Sequence, residues 1–276
     1  MPKWLRWVLF AAALGVFLYS GWKIFTIQSR YAKSRSVYEA AAEEFTQTAP
    51  PDAAVPTAEG SRDHTDGGGA GEPEDDTVRA PIVVNFETLC ALNPDVVGWL
   101  YCPDTPINYP VVLGETNNTY LHTNYRGEYD PGGSVFADAA DRRGFEDSNT
   151  IIYGHHMRDM SMLASLEYWM DQKFYDEHPV MWLLTPEGDY RVDLFAGYIT
   201  SATSSTYTIY RGPGEEFDEY LARAQEDSVF TSPVVPDGNA KFILLSTCDY
   251  SFRNARTVLH GMLVPVDTVG GLIPPD

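Results

Sequence analysis

The chain has 276 residues, of which 39 are acidic and 19 basic, so its formal net charge is −20. This excess of negative charge argues against a nucleic-acid-binding protein, which needs a basic face. Three cysteines, Cys90, Cys102 and Cys248, are too few for a disulfide framework or a zinc site of paired cysteines. Two small buried thiols are the preferred interpretation of Cys90 and Cys102, with a bridge between them as the alternative.

Residues 7–25 predict a transmembrane anchor. No charged residue occurs at positions 7–22, and a tryptophan stands at each end, as is typical of membrane interfaces. With Ile24 and Phe25 the apolar length approaches the ~20 residues that span a bilayer. No small-residue cleavage motif follows, which favours an uncleaved anchor over a signal peptide, and a buried core helix is the other alternative. Basic residues lie on both sides of the span, so charge counting does not orient it.

Residues 26–80 predict a stalk and an acidic linker. Residues 38–45 are rich in alanine and glutamate and are predicted to be helical. Residues 46–79 contain prolines, three consecutive glycines and many acidic residues, with almost no large apolar side chain. A segment of this composition cannot bury a core, so we predict a disordered spacer.

A globular domain is predicted over residues 81–270, with residues 271–276 as a tail. Helices are expected at 85–92, 160–170 and 215–224. Strands are expected at 96–101, 107–113, 134–137, 150–153, 180–184, 190–199 and 242–245, followed by one that begins at Arg256. Many short strands with few helices indicate a β-barrel or sandwich with peripheral helices.

Cys248 ends a short apolar run, residues 242–245 extended by Ser-Thr, which suits a buried strand better than a helix. A nucleophilic cysteine needs an imidazole or another positive group to ionise it. His155 is the best candidate, because it follows an apolar strand and Gly154, which permits an unusual backbone turn. The sequence therefore predicts a thiol and an imidazole at the ends of two buried strands.

Arg256 opens the strand after Cys248 and is the third candidate. A guanidinium can hold a substrate carbonyl or stabilise a tetrahedral oxyanion, and the alternative is a surface cation at a sheet edge. His260 shares its strand face but lies roughly 13 Å further along, so it is predicted to be packed or paired. His122 and His178 have ordinary polar neighbours and are predicted to lie on the surface.

These motifs carry a family resemblance. The run LSTC at 245–248, an arginine eight residues on, and the upstream run YGHH at 153–156 together resemble the sortases, most closely class B. The similarity extends over roughly residues 83–266. It implies a mainly-β fold, an eight-stranded barrel with peripheral helices, preceded here by the transmembrane helix. It also implies a cysteine transpeptidase.

The resemblance assigns a role to each candidate. Cys248 matches the nucleophile that cleaves a C-terminal sorting signal of a secreted protein and forms a thioacyl enzyme. His155 matches the residue that protonates the leaving amine and deprotonates the incoming one, and Arg256 matches the residue that steadies the substrate and oxyanion. The residues implied to line the peptide groove are Asn117, Leu121, Tyr207 and Ser246.

The resemblance also implies the setting of the reaction. An amine of a peptidoglycan cross-bridge or a pilin lysine resolves the thioester. The catalytic domain is extracytoplasmic on a single-pass membrane anchor, with residues 1–6 as a short cytoplasmic N-terminus. No cofactor is expected, and no metal, because the acidic residues at 215–219 do not form a calcium loop.

Two other functions stay open. One is an extracytoplasmic cysteine protease that releases its thioester to water, although papain-like enzymes place cysteine before histidine in the chain, the reverse of the order here. The other is a non-catalytic extracellular binding domain with Cys248 as a packed thiol. At reference pKa values of about 8.5 and 6.5, Cys248 and His155 are both neutral at pH 7, whereas thiolate and imidazolium form the active pair.

Overall fold

The computed structural model describes residues 2–49 and 78–266. Within these ranges the chain forms ten strands, four α-helices and two short 3-10 helices. The strands are β1 (Thr46–Thr48), β2 (Ile82–Val84), β3 (Val96–Tyr101), β4 (Asn108–Val112), β5 (Val135–Ala137), β6 (Asn149–Tyr153), β7 (Val180–Thr185), β8 (Gly188–Ser201), β9 (Lys241–Cys248) and β10 (Ala255–Val266). The α-helices are α1 (Lys3–Phe45), α2 (Phe86–Leu92), α3 (Gln172–Glu177) and α4 (Glu215–Asp227), and the 3-10 helices are Ala164–Met170 and Ser205–Tyr207.

Strands β3 to β10 close into one barrel in the order β10-β8-β7-β3-β4-β5-β6-β9. Neighbouring strands are antiparallel except for the pairs β4–β5 and β6–β9, which are parallel. The mainly-β fold and the eight-stranded barrel implied by the resemblance are confirmed. The parallel pair β6–β9 matters most for function, because both strands end on the same side of the barrel.

The apolar run of β9 is continuous because both of its faces are covered. Ile243 and Leu245 belong to the main core of the barrel. Phe242 and Leu244 point the other way and pack in a second core with α4. Alternate side chains of a strand face opposite sides, so a strand buried on both sides needs apolar residues at every position.

Helix α4 confirms the prediction at 215–224 and covers the outer face of β9. Its buried residues Phe217, Tyr220, Leu221 and Ala224 follow the spacing that places side chains on one helix face. Three acidic residues in its first turn interact favourably with the positive end of the helix dipole.

The helix predicted at 160–170 is instead a 3-10 helix that begins at Ala164. Met160 and Met162 have φ values of 65° and 58°, in the left-handed region, so a regular helix cannot pass through them. Helix α3 follows directly and was not anticipated. Asp171 caps it by accepting a hydrogen bond from the Lys173 backbone N–H.

Helix α1 has two different halves. Its first half is long and apolar enough to cross a membrane by length and composition, with a window of mean hydropathy 1.7 that is 0% buried within the protein. Its second half buries Ser34, Tyr38, Ala41 and Phe45, which recur at helical spacing on one face. The predicted anchor and the predicted stalk helix are therefore parts of one continuous helix.

The predicted spacer begins with a strand, so the expectation of disorder is wrong for Thr46–Thr48. This strand, β1, pairs antiparallel with β2, and Thr46 lies opposite Val84. Strand β1 precedes most of the acidic segment and β2 follows it, so their pairing brings the two flanks of the segment together. Residues 50–77 and 267–276, which include the predicted tail, lie outside the described residues.

Candidate active site

Three strands bring the candidate residues together. In the parallel pair β6–β9, Tyr153 lies opposite Ser246, so His155 and Cys248 each follow that position by two residues. In the antiparallel pair β9–β10, Arg256 lies directly opposite Cys248. Residues paired across antiparallel strands have Cα atoms about 5 Å apart. The topology therefore places the thiol, the imidazole and the guanidinium at one end of the barrel.

A cleft with a volume of about 210 Å³ opens at this end. Six predicted site residues line it, namely Asn117, Leu121, His155, Ser246, Cys248 and Arg256. Phe136, Tyr153, Gly154 and Thr247 also line it and were not singled out as site residues. Tyr153 and Gly154 belong to the YGHH run and Thr247 belongs to LSTC. Membership of these motifs is the sequence signal that could have identified them as cleft residues.

Tyr207 borders the cleft through Ser246. The two hydroxyl oxygens lie 2.8 Å apart, and the Tyr207 ring stacks on Tyr153 with centroids 6.2 Å apart. Burial raises the pKa of Tyr207, while the hydrogen bond with Ser246 and the charge of Arg256 oppose that rise. The side chain is therefore a neutral phenol that holds Ser246 against one wall of the cleft.

His155 has a defined orientation. Its Nε2–H donates to the Leu121 carbonyl over 2.7 Å, so in the neutral ring Nδ1 is the basic nitrogen. Burial lowers the pKa of His155, the bond to Leu121 opposes this, and the neighbouring His122 lowers the pKa further. The rings of His122 and His155 are stacked, with centroids 5.4 Å apart and planes 13° apart. His122 is exposed as predicted, but its ring also packs against the ring of His155.

Gly154 is required for space rather than for an unusual turn. Its φ is outside the left-handed region, so the expected backbone role is wrong. A Cβ at this position would lie 2.5 Å from Cγ of Leu163, which is closer than real side chains approach. Glycine thus lets Leu163 pack beneath the chain that carries His155.

Arg256 is half-buried and keeps its charge available. Its Nη1 donates to the Ala255 carbonyl over 2.8 Å. Within residues 2–49 and 78–266, no carboxylate lies within ion-pair distance of its guanidinium. Arg256 lies between Thr200 of β8 and Cys248 of β9, so the alternative of a surface cation at a sheet edge is wrong. An anion formed in the cleft would meet an uncompensated positive charge.

Asp138 fixes two side chains that line the cleft, and sequence reasoning missed it. Its Oδ2 accepts hydrogen bonds from Asn117 Nδ2 and from the Tyr153 hydroxyl, each over 3.0 Å. The Asn117 side-chain oxygen in turn accepts from the Ala139 backbone N–H over 2.7 Å. Asn117 is exposed but fixed, which suits a side chain that lines a groove.

Two further histidines in the described part of the chain, His178 and His260, do not line the cleft. His260 is packed and paired as predicted, 2% exposed, with Nε2 3.0 Å from the Tyr198 hydroxyl oxygen. His178 is half-buried rather than on the surface, and its ring packs on Phe174 with centroids 4.5 Å apart.

All three cysteines are described and are free thiols, so Cys90 and Cys102 do not form a bridge. Cys102 is buried, and burial raises its pKa to about 12. A thiol of this kind is a small apolar side chain rather than a nucleophile. In the described part of the chain, no group of three or more histidine, cysteine or carboxylate side chains is placed to hold a metal ion.

No family model matches the chain. Sortase B of Listeria monocytogenes serovar 1/2a (strain ATCC BAA-679 / EGD-e) is 37% identical over 256 residues, covering 91% of this chain and 93% of that protein. The structure of a Staphylococcus aureus sortase B–substrate complex superposes with a TM-score of 0.63 at 30% identity, covering 66% of this chain and 85% of the other. A structure of sortase B complexed with triglycine gives a TM-score of 0.61 at 31% identity, covering 66% and 86%.

The fold and the cleft thus match proteins of one kind. The structural similarity covers about two thirds of the chain, and the sequence similarity to the Listeria protein covers 91% of it. The chain therefore belongs to the sortase family, within class B. As a member of this class it is a cysteine transpeptidase.

Proposed function

We propose that the enzyme cleaves a C-terminal sorting signal of secreted proteins and transfers the acyl group, through a thioester on Cys248, to an amine. The supporting observation is that Cys248, His155 and Arg256 line one cleft at the common end of β6 and β9. Two structural relatives add support, one solved as a substrate complex and one complexed with triglycine.

Acylation begins with His155 as a neutral base, since burial lowers the pKa of its imidazole. The Cys248 sulfur attacks the scissile carbonyl while its proton passes to His155 Nδ1, and the oxyanion forms beside Arg256. The C–N bond then breaks, and His155 returns the proton to the leaving amine. The proton thus passes from Cys248 to the leaving amine by way of His155.

Transfer reverses these roles. The incoming amine attacks the thioester and gives a proton to His155, the C–S bond breaks, and Cys248 recovers the proton. The acceptor is an amine of a peptidoglycan cross-bridge or a pilin lysine. The sorting peptide lies in the groove formed by Asn117, Leu121 and Ser246, with Tyr207 behind Ser246.

The first half of α1 anchors the enzyme in the cell membrane as a single pass. Residues 1–6 are cytoplasmic and the catalytic domain is extracytoplasmic. Trp7 and Phe17 are each 72% exposed, a position that lipid would cover. From Phe25 to Tyr31, the first residue of α1 that packs against the core, six helical steps span about 9 Å. The continuous helix therefore holds the barrel close to the membrane.

The test uses the full chain in detergent with synthetic sorting-signal peptides, with and without triglycine. We expect a peptide–triglycine product that disappears in Cys248→Ala. Hydrolysis at the same rate with and without triglycine would support a cysteine protease instead. Binding of a peptide with no turnover would support the non-catalytic domain and contradict the proposal.

A further inference from the structure

The loop that carries His155 is hydrogen-bonded to the strand end that carries Cys248 on both sides of the histidine. Before it, the Thr247 hydroxyl donates to the Gly154 carbonyl over 2.8 Å. After it, Nδ1–H of His156 donates to the Cys248 carbonyl over 2.8 Å. Because these bonds join the two neighbours of His155 to Cys248 and its neighbour, they set the spacing between imidazole and thiol.

The His156 side chain is itself held in place. Its Nε2 lies 3.4 Å from Oε2 of Glu167, and the side chain is only 12% exposed. The ring of Tyr250 lies against it, with centroids 5.2 Å apart. Its backbone forms a bridge with Met162. An imidazole fixed by its backbone, by the hydrogen bond of Nδ1 and by an aromatic neighbour is a rigid spacer rather than a mobile surface group.

We propose that His156 is a positioning residue, which holds the main chain of Cys248 at a fixed distance from His155. The inference rests on the proposed function, because it needs Cys248 as the nucleophile. His156 contacts the carbonyl of Cys248 rather than the substrate, so its loss slows the chemical steps and leaves peptide binding intact. A misplacement of about 1 Å between reacting groups costs on the order of 10²-fold in rate.

The experiment compares His156→Ala and His156→Asn in the full chain in detergent, assayed with a sorting-signal peptide and triglycine. We expect His156→Ala to lower kcat by about 10²-fold with KM within about twofold of the wild type. The asparagine side chain of His156→Asn offers an amide N–H in place of Nδ1–H, so kcat returns to within about fivefold. His178→Ala, which removes another half-buried histidine, keeps the wild-type kcat and serves as the matched control.

If the two His156 variants melt at the same temperature as His178→Ala, unfolding is excluded as the cause of the lower kcat. The proposal is overturned if His156→Ala keeps the wild-type kcat, if KM rises as much as kcat falls, or if His156→Asn restores nothing. Cys248→Ala separates this failure from that of the proposed function. Activity in Cys248→Ala contradicts the proposed function itself, whereas an inactive Cys248→Ala beside a fully active His156→Ala contradicts only the role of His156.

Discussion

Two positions on one face of β10 have opposite environments. Arg256 lies opposite Cys248 and lines the cleft, whereas His260, four residues on, lies opposite Leu244 and is buried. The separation along the strand is roughly 13 Å. Helix α4 covers the second position, where Tyr220 packs 5.8 Å from the His260 ring, and it leaves the first position open.

The difference shows that the open end of β10 contributes to the cleft, whereas the covered part of the same strand contributes to the core. Burial without a charged partner lowers the pKa of His260 to about 3, so this imidazole is neutral and inert. The guanidinium of Arg256 is open to the cleft because the end of the strand is not covered. We therefore expect substitutions in the cleft to change rate without changing stability, and a substitution at His260 to do the reverse.

The largest expected effect is the loss of His155, the proposed base. His155→Ala should lower kcat by about 10³-fold, the usual contribution of general acid–base catalysis, with an unchanged melting temperature. The wild-type kcat/KM should hold down to pH values below the ordinary histidine pKa of about 6.5, because burial lowers the pKa of His155.

His122→Ala is the matched variant for this pH profile. It keeps the base but removes the stacked ring that helps to lower the pKa of His155. The acid limb of kcat/KM should therefore move to higher pH. A limb that moves to lower pH, or a fully active His155→Ala, would contradict the assignment.

A smaller effect is expected at Arg256. Arg256→Lys keeps the positive charge but loses the planar fork of donors, so kcat should fall by about 10²-fold. Arg253→Lys, an exposed substitution in the loop that precedes β10, is the control and should leave steady-state kinetics unchanged. Equal activity of the two variants would show that Arg256 does not act on the oxyanion.

The last effect is on stability rather than on rate. The pKa of His260 is about 3 in the folded protein and about 6.5 in the unfolded chain, so the unfolded chain binds the proton more tightly. The contribution of this site is complete above about pH 6.5 and is lost as the pH falls, at up to about 1.4 kcal/mol per pH unit. Denaturant titrations at several pH values should show a shallower fall in unfolding free energy for His260→Gln. Equal slopes for the two proteins would count against a buried neutral imidazole.

The sequence predicts most of the barrel because its signals are local. The apolar run of β9 and the spacing of Phe217, Tyr220 and Leu221 in α4 each identify an element without knowledge of its neighbours. The motifs around His155 and Cys248 lie at strand ends, and parallel pairing of β6 and β9 brings such ends together.

The parts that could not be predicted depend on contacts between distant segments. The docked face of α1 includes Ser34 and Ala41 beside Tyr38, so it lacks a clear apolar stripe. Strand β1 has the sequence TQT, which carries no alternation of apolar residues. Likewise, His122 and His156 gain their importance only because loops bring them to His155 and Cys248.

The most direct test of the central claim is the mass of the enzyme after reaction with a sorting-signal peptide in the absence of an amine. We expect an increase equal to the acyl part of the peptide, mapped by proteolysis to Cys248, and its loss on addition of triglycine with formation of the peptide–triglycine product. Cys248→Ala should show no adduct. Product formation without an adduct on Cys248, or an adduct on another residue, would contradict the account.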